Sequence, residues 1–424
     1  MPTGASAVLC RIQMGSALGA FGNGLTVPFL FVYVAQVKGL GAGTAGVVVA
    51  SLAIAALLVL PFAGRVIDHR GPRTVIIVGV LAAALGSWGV ALTSSRWPVI
   101  VMSGLLGAGM AVVQPALATM LVRYTHATQR STAFTVQFFV HNLGLGAGGL
   151  VSGLVVDTSR PSSFLTLMAV QGIMFLLLGA VVAAGRVPRA EETAPLGDSM
   201  DRGWGEVCRD NSMVLMCLLG FALFFACYGQ FVSGLSAYAL EVTRVSPAML
   251  GAALAANTAV IMLLQFFVLR LVKLRRRSRV IAWTGIVWGL AWAMAGASGL
   301  VQGDSQFLAT TLLMSTYLLF GVGESMLAPT VGPLVSDLAP TRLVGRYNSA
   351  FALVKQLALA IGPAVSGLMV AAQAYAAYIL MLVACSAVST LLAWQLGRRL
   401  TVEQEGTQEM LAESLPESVA RQKT

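Results

Sequence analysis

Twelve long apolar runs, each able to cross a bilayer as a helix, constrain this chain more than any other feature. A helix needs about 20 mostly apolar residues to span the hydrocarbon core. Residues 8–35, 44–63, 74–93, 98–121, 131–156, 164–185, 213–240, 247–269, 280–301, 305–336, 346–372 and 376–396 supply them. None alternates apolar and polar residues in the manner of a membrane β-strand, so all twelve read as helices. The first run stays apolar from Val8 to Ala35 with no small-residue cleavage site behind it, and reads as a retained span rather than a signal peptide. Only 10% of the residues are charged, against about 25% in soluble domains, so a water-facing surface around several soluble cores is excluded. The 45 glycines lie inside runs rich in Ala, Leu and Val, as in membrane helices whose backbones approach closely.

The net charge of +10 invites a nucleic-acid reading, but the basic residues sit between spans and form no aromatic-interleaved stripe. They follow membrane topology instead. With the N-terminus inside, 22 of the 27 Lys and Arg residues fall on the cytoplasmic side. Only Lys38, Arg96, Arg160 and Arg244 fall outside, and Lys355 lies within the eleventh span. Both termini are therefore expected in the cytoplasm of a multi-pass cell-membrane protein. The five cysteines are scattered, with neither CxxC spacing nor a disulfide framework, and no metal or cofactor motif is present.

The two halves repeat. Gly107–Ala108–Gly109 with Pro115 matches Gly321–Val322–Gly323 with Pro329 at an offset of 214, and Gly148 to Leu154 matches Gly362 to Leu368 at the same offset. The expected architecture is an all-α membrane protein with twelve transmembrane helices in two pseudo-symmetric six-helix bundles. Residues 1–185 are expected to form the first bundle, 186–212 a cytoplasmic central loop, 213–396 the second bundle, and 397–424 a solvated or disordered cytoplasmic tail rich in Glu. Repeats of this kind often enclose a substrate site near the midplane.

Between the second and third spans stands Gly64–Arg65–Val66–Ile67–Asp68–His69–Arg70–Gly71–Pro72–Arg73. It resembles the loop signature of the major facilitator superfamily, departing from it at His69 and Pro72. The resemblance, which covers about residues 8–396, implies transport by alternating access. It also implies a cytoplasmic gate built from Gly64, Asp68, Arg70, Gly71, Arg73 and Arg130, in which Asp68 pairs with Arg130 or faces the start of the eleventh span near Arg346. The fifth span, with Gly144, Gly148, Gly149 and Gly153, resembles the family's antiporter motif, with Gly149 in place of a proline; its second-half counterpart has Gly362, Pro363 and Gly367. Generic small-residue packing is the competing reading of these glycines. The arginine that many proton-coupled exporters of the family carry four residues before the Gly107 position is Ser103 here.

Ionisable residues far inside a span are costly and are functional candidates by default. Three have long apolar flanks: His141, Glu324 and Lys355. Glu324 is the candidate proton-coupling or cation-binding carboxylate, with Lys355 as countercharge or competing partner and His141 as relay or substrate donor; a static ion pair and a packing histidine are the structural alternatives. Polar residues at cavity depth are Asn23, Gln114, Gln137, Tyr228, Gln230, Asn257, Tyr317 and Gln356, though each of these can equally bond a neighbouring helix. Together they suit a moderately hydrophobic organic solute. Proton-coupled efflux of a drug-like or hydrophobic metabolite by a monomeric carrier leads. A proton-coupled nutrient importer follows, and a transporter-like sensor is remote. Enzyme and nucleotide-pump readings find no HExxH, GxSxG or Walker loop.

Overall fold

The computed structural model describes residues 3–157, 160–184, 202–231, 233–273 and 275–406. Among them are twelve helices long and apolar enough to cross a membrane. They are α1 (Val8–Val37), α2 (Gly41–Arg70), α3 (Pro72–Leu92), α4 (Arg96–Arg123), α5 (Ala127–Val155), α6 (Pro161–Ala184), α7 (Asn211–Phe231), α8 (Ala248–Lys273), α9 (Arg277–Val301), α10 (Gln306–Leu338), α11 (Thr341–Ala371) and α12 (Tyr375–Gly397). Large apolar side chains such as Leu58, Phe62, Leu150 and Leu368 are exposed on them, the surface a lipid-facing helix needs.

The chain forms two compact units, one of Met1–His126, Val136–Val207 and Ala339–Gln356, the other of Ala127–Thr135, Cys208–Leu338 and Leu357–Thr424. The first unit thus holds α1 to α4, α6, most of α5 and the start of α11. The second holds α7 to α10, α12, the first turns of α5 and the rest of α11. Inside the first, α3 packs on α4, α2 on α4, α3 on α6 and α1 on α6. Inside the second, α9 packs on α10, α8 on α10, α9 on α12 and α7 on α12. The second set is the first advanced by six helices, so the repeat in sequence is a repeat in packing.

The cores differ in material. In the first unit small residues let α3 and α4 touch: a Cβ added at Gly79 would lie 3.0 Å from the Gly109 carbonyl. In the second, Trp288, Trp292, Phe320 and Tyr378 are fully buried or nearly so, with the Trp292 ring 5.3 Å from Phe320 and 5.8 Å from Tyr378. Both indoles find acceptors, Trp288 on the Phe320 carbonyl and Trp292 on that of Ala226, which is what lets Trp be buried without loss.

The first helix of each repeat is irregular. α1 passes through a 3-10 turn at Val27–Phe29 and a π turn at Tyr33–Val37. α7 breaks at Cys227 and the chain resumes as a short helix, Gly234–Glu241, so the single span expected over 213–240 is discontinuous. α2 runs on to Arg70, and the turn to α3 is the single residue Gly71 at φ +82°, a conformation glycine adopts without strain. Pro72 then occupies the first turn of α3, where no N–H is missed.

Two expectations about polar segments change. Of the central loop 186–212, residues 185–201 lie outside the described residues, whereas Arg202–Arg209 form a short helix. Of the tail 397–424, residues 407–424 lie outside them, but Glu405 is only 2% exposed. The acidic run read as solvated therefore holds one docked carboxylate, its second, after the exposed Glu403, for a reason given below.

Candidate functional site

In the first unit, α1, α4, α5 and α6 leave a cavity of about 20 Å³ lined on its polar side by Ser16, Asn23, Gln114 and His141. That is room for about one water. Three residues singled out in sequence, Asn23, Gln114 and His141, are brought together here from three helices. Asn23 accepts from Gln171 Nε2 at 3.3 Å, and Gln171 in turn accepts from the Ser87 hydroxyl at 2.7 Å. Gln137, one turn before His141, donates to Ser16 Oγ at 2.7 Å, while its own Oε1 is buried with no hydrogen-bond partner. That leaves an acceptor beside the cavity for a donor group. Lys355, on the part of α11 in the same unit, is exposed rather than buried and acts electrostatically on His141. Gln356 is half-buried beside it.

In the second unit, Glu324 on α10 is 7% exposed. Asn257 of α8 donates to its Oε1 at 3.3 Å, and Tyr228 of α7 hydrogen-bonds it as well. The other Asn257 bond goes to the Tyr317 carbonyl, so α8 is clamped on α10 at this level. Tyr317 is fully buried and packs edge-on against Phe231 at 5.2 Å. Gln230 is also fully buried, donating to the Gly362 carbonyl and accepting from the Tyr378 hydroxyl. Gln230 therefore bonds neighbouring helices, the structural alternative left open for it, whereas the Tyr317 hydroxyl is buried with no hydrogen-bond partner among the described residues and only its ring makes a helix contact; Tyr228 and Asn257 hold the carboxylate.

Each unit carries a buried carboxylate at its basic end. Asp68, in the last turn of α2, accepts from Gly345 N at 2.6 Å, Arg346 N at 3.3 Å and Arg346 Nη1 at 3.4 Å. Of the two partners expected for it, the start of α11 faces it. Gly64 makes this approach possible: a Cβ there would sit 2.9 Å from both Arg346 Cα and Ser349 Cβ. The short helix Arg202–Arg209 joins the cluster through Glu206, 2.6 Å from Arg342. Arg130 lies elsewhere, in the second unit, paired with Asp337 at the end of α10. Asp337 also takes Arg277 Nη1 at 2.5 Å. Arg277, 3% exposed, donates further to the Gln404 carbonyl and to Ser131 Oγ. Glu405 completes the cluster by accepting from Ser278 N at 3.0 Å and Ser278 Oγ at 2.5 Å, the capping that a helix N-terminus asks of an anion. Arg70 and Arg73 stay at the surface, Arg73 donating to the Ala183 carbonyl.

The motif glycines divide. Gly144 and Gly148 of α5 face the backbone of α1 at Ala17 and Phe21, and Gly362 of α11 faces Gly229 of α7. A Cβ at Gly149, Gly153 or Gly367 would meet nothing within 4 Å, and Pro363 is exposed, so close packing requires only the first three. The Arg277–Asp337–Glu405 cluster was missed in the sequence. Asp337 at the end of an apolar run was a usable signal; Glu405, among other glutamates, offered none.

Comparison with known proteins bears on these clusters. The family described as Major Facilitator Superfamily matches residues 14–273 and 235–419. The chain is similar to the uncharacterized MFS-type transporter YqjV of Bacillus subtilis, 24% identical over 84% of this chain and 85% of the relative. It is also similar to the quinolone resistance protein NorA of Staphylococcus aureus, 22% identical over 82% and 85%. Among solved structures, the transporter FucP in its outward conformation superposes with a TM-score of 0.73 at 16% identity, covering 92% of this chain and 98% of that one.

Proposed function

The chain belongs to the major facilitator superfamily, and we propose that it is a proton-coupled exporter of moderately hydrophobic organic solutes. The observation that carries this reading is Glu324, a carboxyl group buried in a span and held by the neutral groups of Asn257 and Tyr228. An amide and a phenol can hydrogen-bond a carboxyl in either protonation state, so the site can take and release a proton without losing its partners. Tying that step to solute movement is what a coupled carrier requires. Likeness to a protein named for quinolone resistance supports export over uptake.

His141, Asn23 and Gln114 supply the polar wall of a mostly apolar cavity, and the Gln137 acceptor beside it suits a solute bearing a donor. His141 serves as relay or donor there. Asp68, by holding the Gly345 and Arg346 N–H groups near the start of α11, acts as a latch that must release during the cycle. The carrier sits in the cell membrane as a monomer with both termini in the cytoplasm.

The test is Glu324→Gln in proteoliposomes under an imposed proton gradient. Gradient-driven transport of a solute such as a fluoroquinolone is expected to fall at least tenfold, while exchange of labelled for unlabelled solute at equal pH persists. Unchanged gradient-driven transport removes Glu324 from the coupling. Reversing the gradient separates export from uptake.

A further inference from the structure

The basic end of the second unit carries more positive charge than its ion pairs use. Arg270 and Lys273 lie in the last turn of α8. Arg275, Arg276 and Arg279 surround the start of α9, and Arg398 and Arg399 follow α12. Arg277 alone of this group turns inward, to Asp337. Among the described residues none of the other seven meets a carboxylate at salt-bridge distance.

Two of the seven lie on tryptophans. The Arg275 guanidinium is 5.7 Å from the centre of the Trp283 ring, and that of Arg398 is 5.0 Å from the centre of Trp394. Both rings are exposed, by 43% and 60%. They sit at similar depth, because α9 and α12 pack antiparallel with Ser278 against Gly397 and Thr390 Oγ1 bonded to the Ala282 carbonyl. Each tryptophan heads a stripe of exposed apolar side chains on its own helix, Trp283, Ile286 and Leu290 on α9, and Trp394, Leu391 and Val388 on α12. Exposed tryptophans at span ends mark the headgroup level of a bilayer. An arginine held over an indole leaves N–H groups free, and its planar fork matches phosphate oxygens.

We infer that the basic ends of α9 and α12 form a binding site for anionic phospholipid. The phosphate is gripped by Arg275 and Arg398 above the tryptophans, the acyl chains lie along the two apolar stripes, and the remaining five cations raise the local concentration of anionic lipid. A water-soluble anion would find the charges but not the stripes, which lie below the headgroup level. This site is separate from the transport residues, and its test can fail without touching the proposed function.

Tryptophan quenching by brominated lipid reads the site directly. The full chain is placed in phosphatidylcholine nanodiscs with a small fraction of brominated phosphatidylglycerol or of brominated phosphatidylcholine. The Trp283→Leu, Trp394→Leu variant is used to subtract the other five of the seven tryptophans. Brominated phosphatidylglycerol is expected to quench the two rings at a several-fold lower mole fraction than brominated phosphatidylcholine. The Arg275→Gln, Arg398→Gln variant should lose that preference while transport stays within twofold. Equal quenching by the two lipids in the unmodified chain overturns the inference, as does a preference that survives the double arginine variant. Relief of quenching by millimolar glycerol phosphate would assign the site to soluble phosphate instead. A preference seen only after truncation behind Gly406 would assign it to the chain's own acidic end.

Discussion

Replacing Glu405 by alanine removes a carboxylate that ends in two short bonds to one residue, Ser278 N at 3.0 Å and Ser278 Oγ at 2.5 Å. The backbone carbonyl of Glu405, 3.3 Å from Arg277 N, survives the change, and so does the Gln404 carbonyl on Arg277. Hydrogen bonds to a charged group contribute ~1.5–3 kcal/mol each, and an anion at a helix N-terminus adds ~0.3–1 kcal/mol. Part of this is offset by the cost of burying the carboxylate, so docking of the segment after α12 should weaken by about 3 kcal/mol. At ~1.4 kcal/mol per decade, its undocked population then rises about 100-fold. Amide hydrogen exchange in nanodiscs measures this population, since local opening sets the exchange rate of each amide it frees. The Ser278 amide and the amides of residues 402–406 are expected to exchange about 100-fold faster, and Glu405→Gln, which keeps an uncharged acceptor, about tenfold faster. Unchanged exchange at Ser278 would refute the capping role. Equal acceleration in α3, which belongs to the other unit, would show a general loss of stability in place of a local release.

Other expectations follow from single contacts. Gly148→Ala drives a Cβ into the Phe21 carbonyl and to 3.0 Å of Leu25 N, whereas Gly149→Ala meets nothing within 4 Å; the first should lower Tm in detergent by roughly 2–10 °C, and the second should leave it equal or slightly higher. Gly64→Ala places a methyl 2.9 Å from Arg346 Cα and should reduce solute transport at least as severely as Asp68→Asn, both measured in proteoliposomes. Arg277→Met leaves Asp337 with one of its two arginines and should cost ~3–5 kcal/mol in thermal unfolding, part of which the Asp337→Leu second change recovers.

The spans and their pairing were legible because hydropathy over 20 residues averages away local detail and the bilayer imposes one length on every helix. Asn23, Gln114 and His141 could each be placed at cavity depth by counting 1.5 Å per residue, although counting does not fix rotation about the helix axis. That missing angle is why depth alone places Gln230 and Tyr317 with cavity residues although Gln230 and the Tyr317 ring sit in helix contacts, and why it gives no sign that Lys355 is exposed. Charges at helix ends were harder. Whether Glu405 is solvated depends on Ser278, 127 residues away, and no window along the chain contains both. A run of glutamates after the last span looks the same whether or not one of its members has a partner.

At the basic end the two repeats place their carboxylate on different helices. The last turn of α2 carries Asp68 beside the bases His69 and Arg70, and α4 ends on Arg123, whereas their equivalents are α8, with Arg270 and Lys273 in its last turn, and α10, with the acid Asp337 at its end. The carboxylate has moved from the second helix of its repeat to the fourth, and the partners moved with it. Asp68 takes mainly backbone N–H groups at the start of α11, while Asp337 takes two guanidinium groups from the starts of α5 and α9. These holds differ in kind. Backbone donors at a helix start are lost together when the helix slides by a fraction of a turn, which suits a contact that must break and re-form in each cycle. Two arginines on flexible stems can follow a moving carboxylate, and stripping either leaves a buried charge poorly matched. The Asp68 contact is therefore the one expected to open, and the Asp337 cluster the one expected to persist. Hydrogen exchange on the unmodified chain during turnover separates the two: the Gly345 and Arg346 amides that Asp68 holds should exchange faster when a gradient drives cycling, while the Arg277 amide, bonded to the Glu405 carbonyl, should not, and equal acceleration at all three would refute the division.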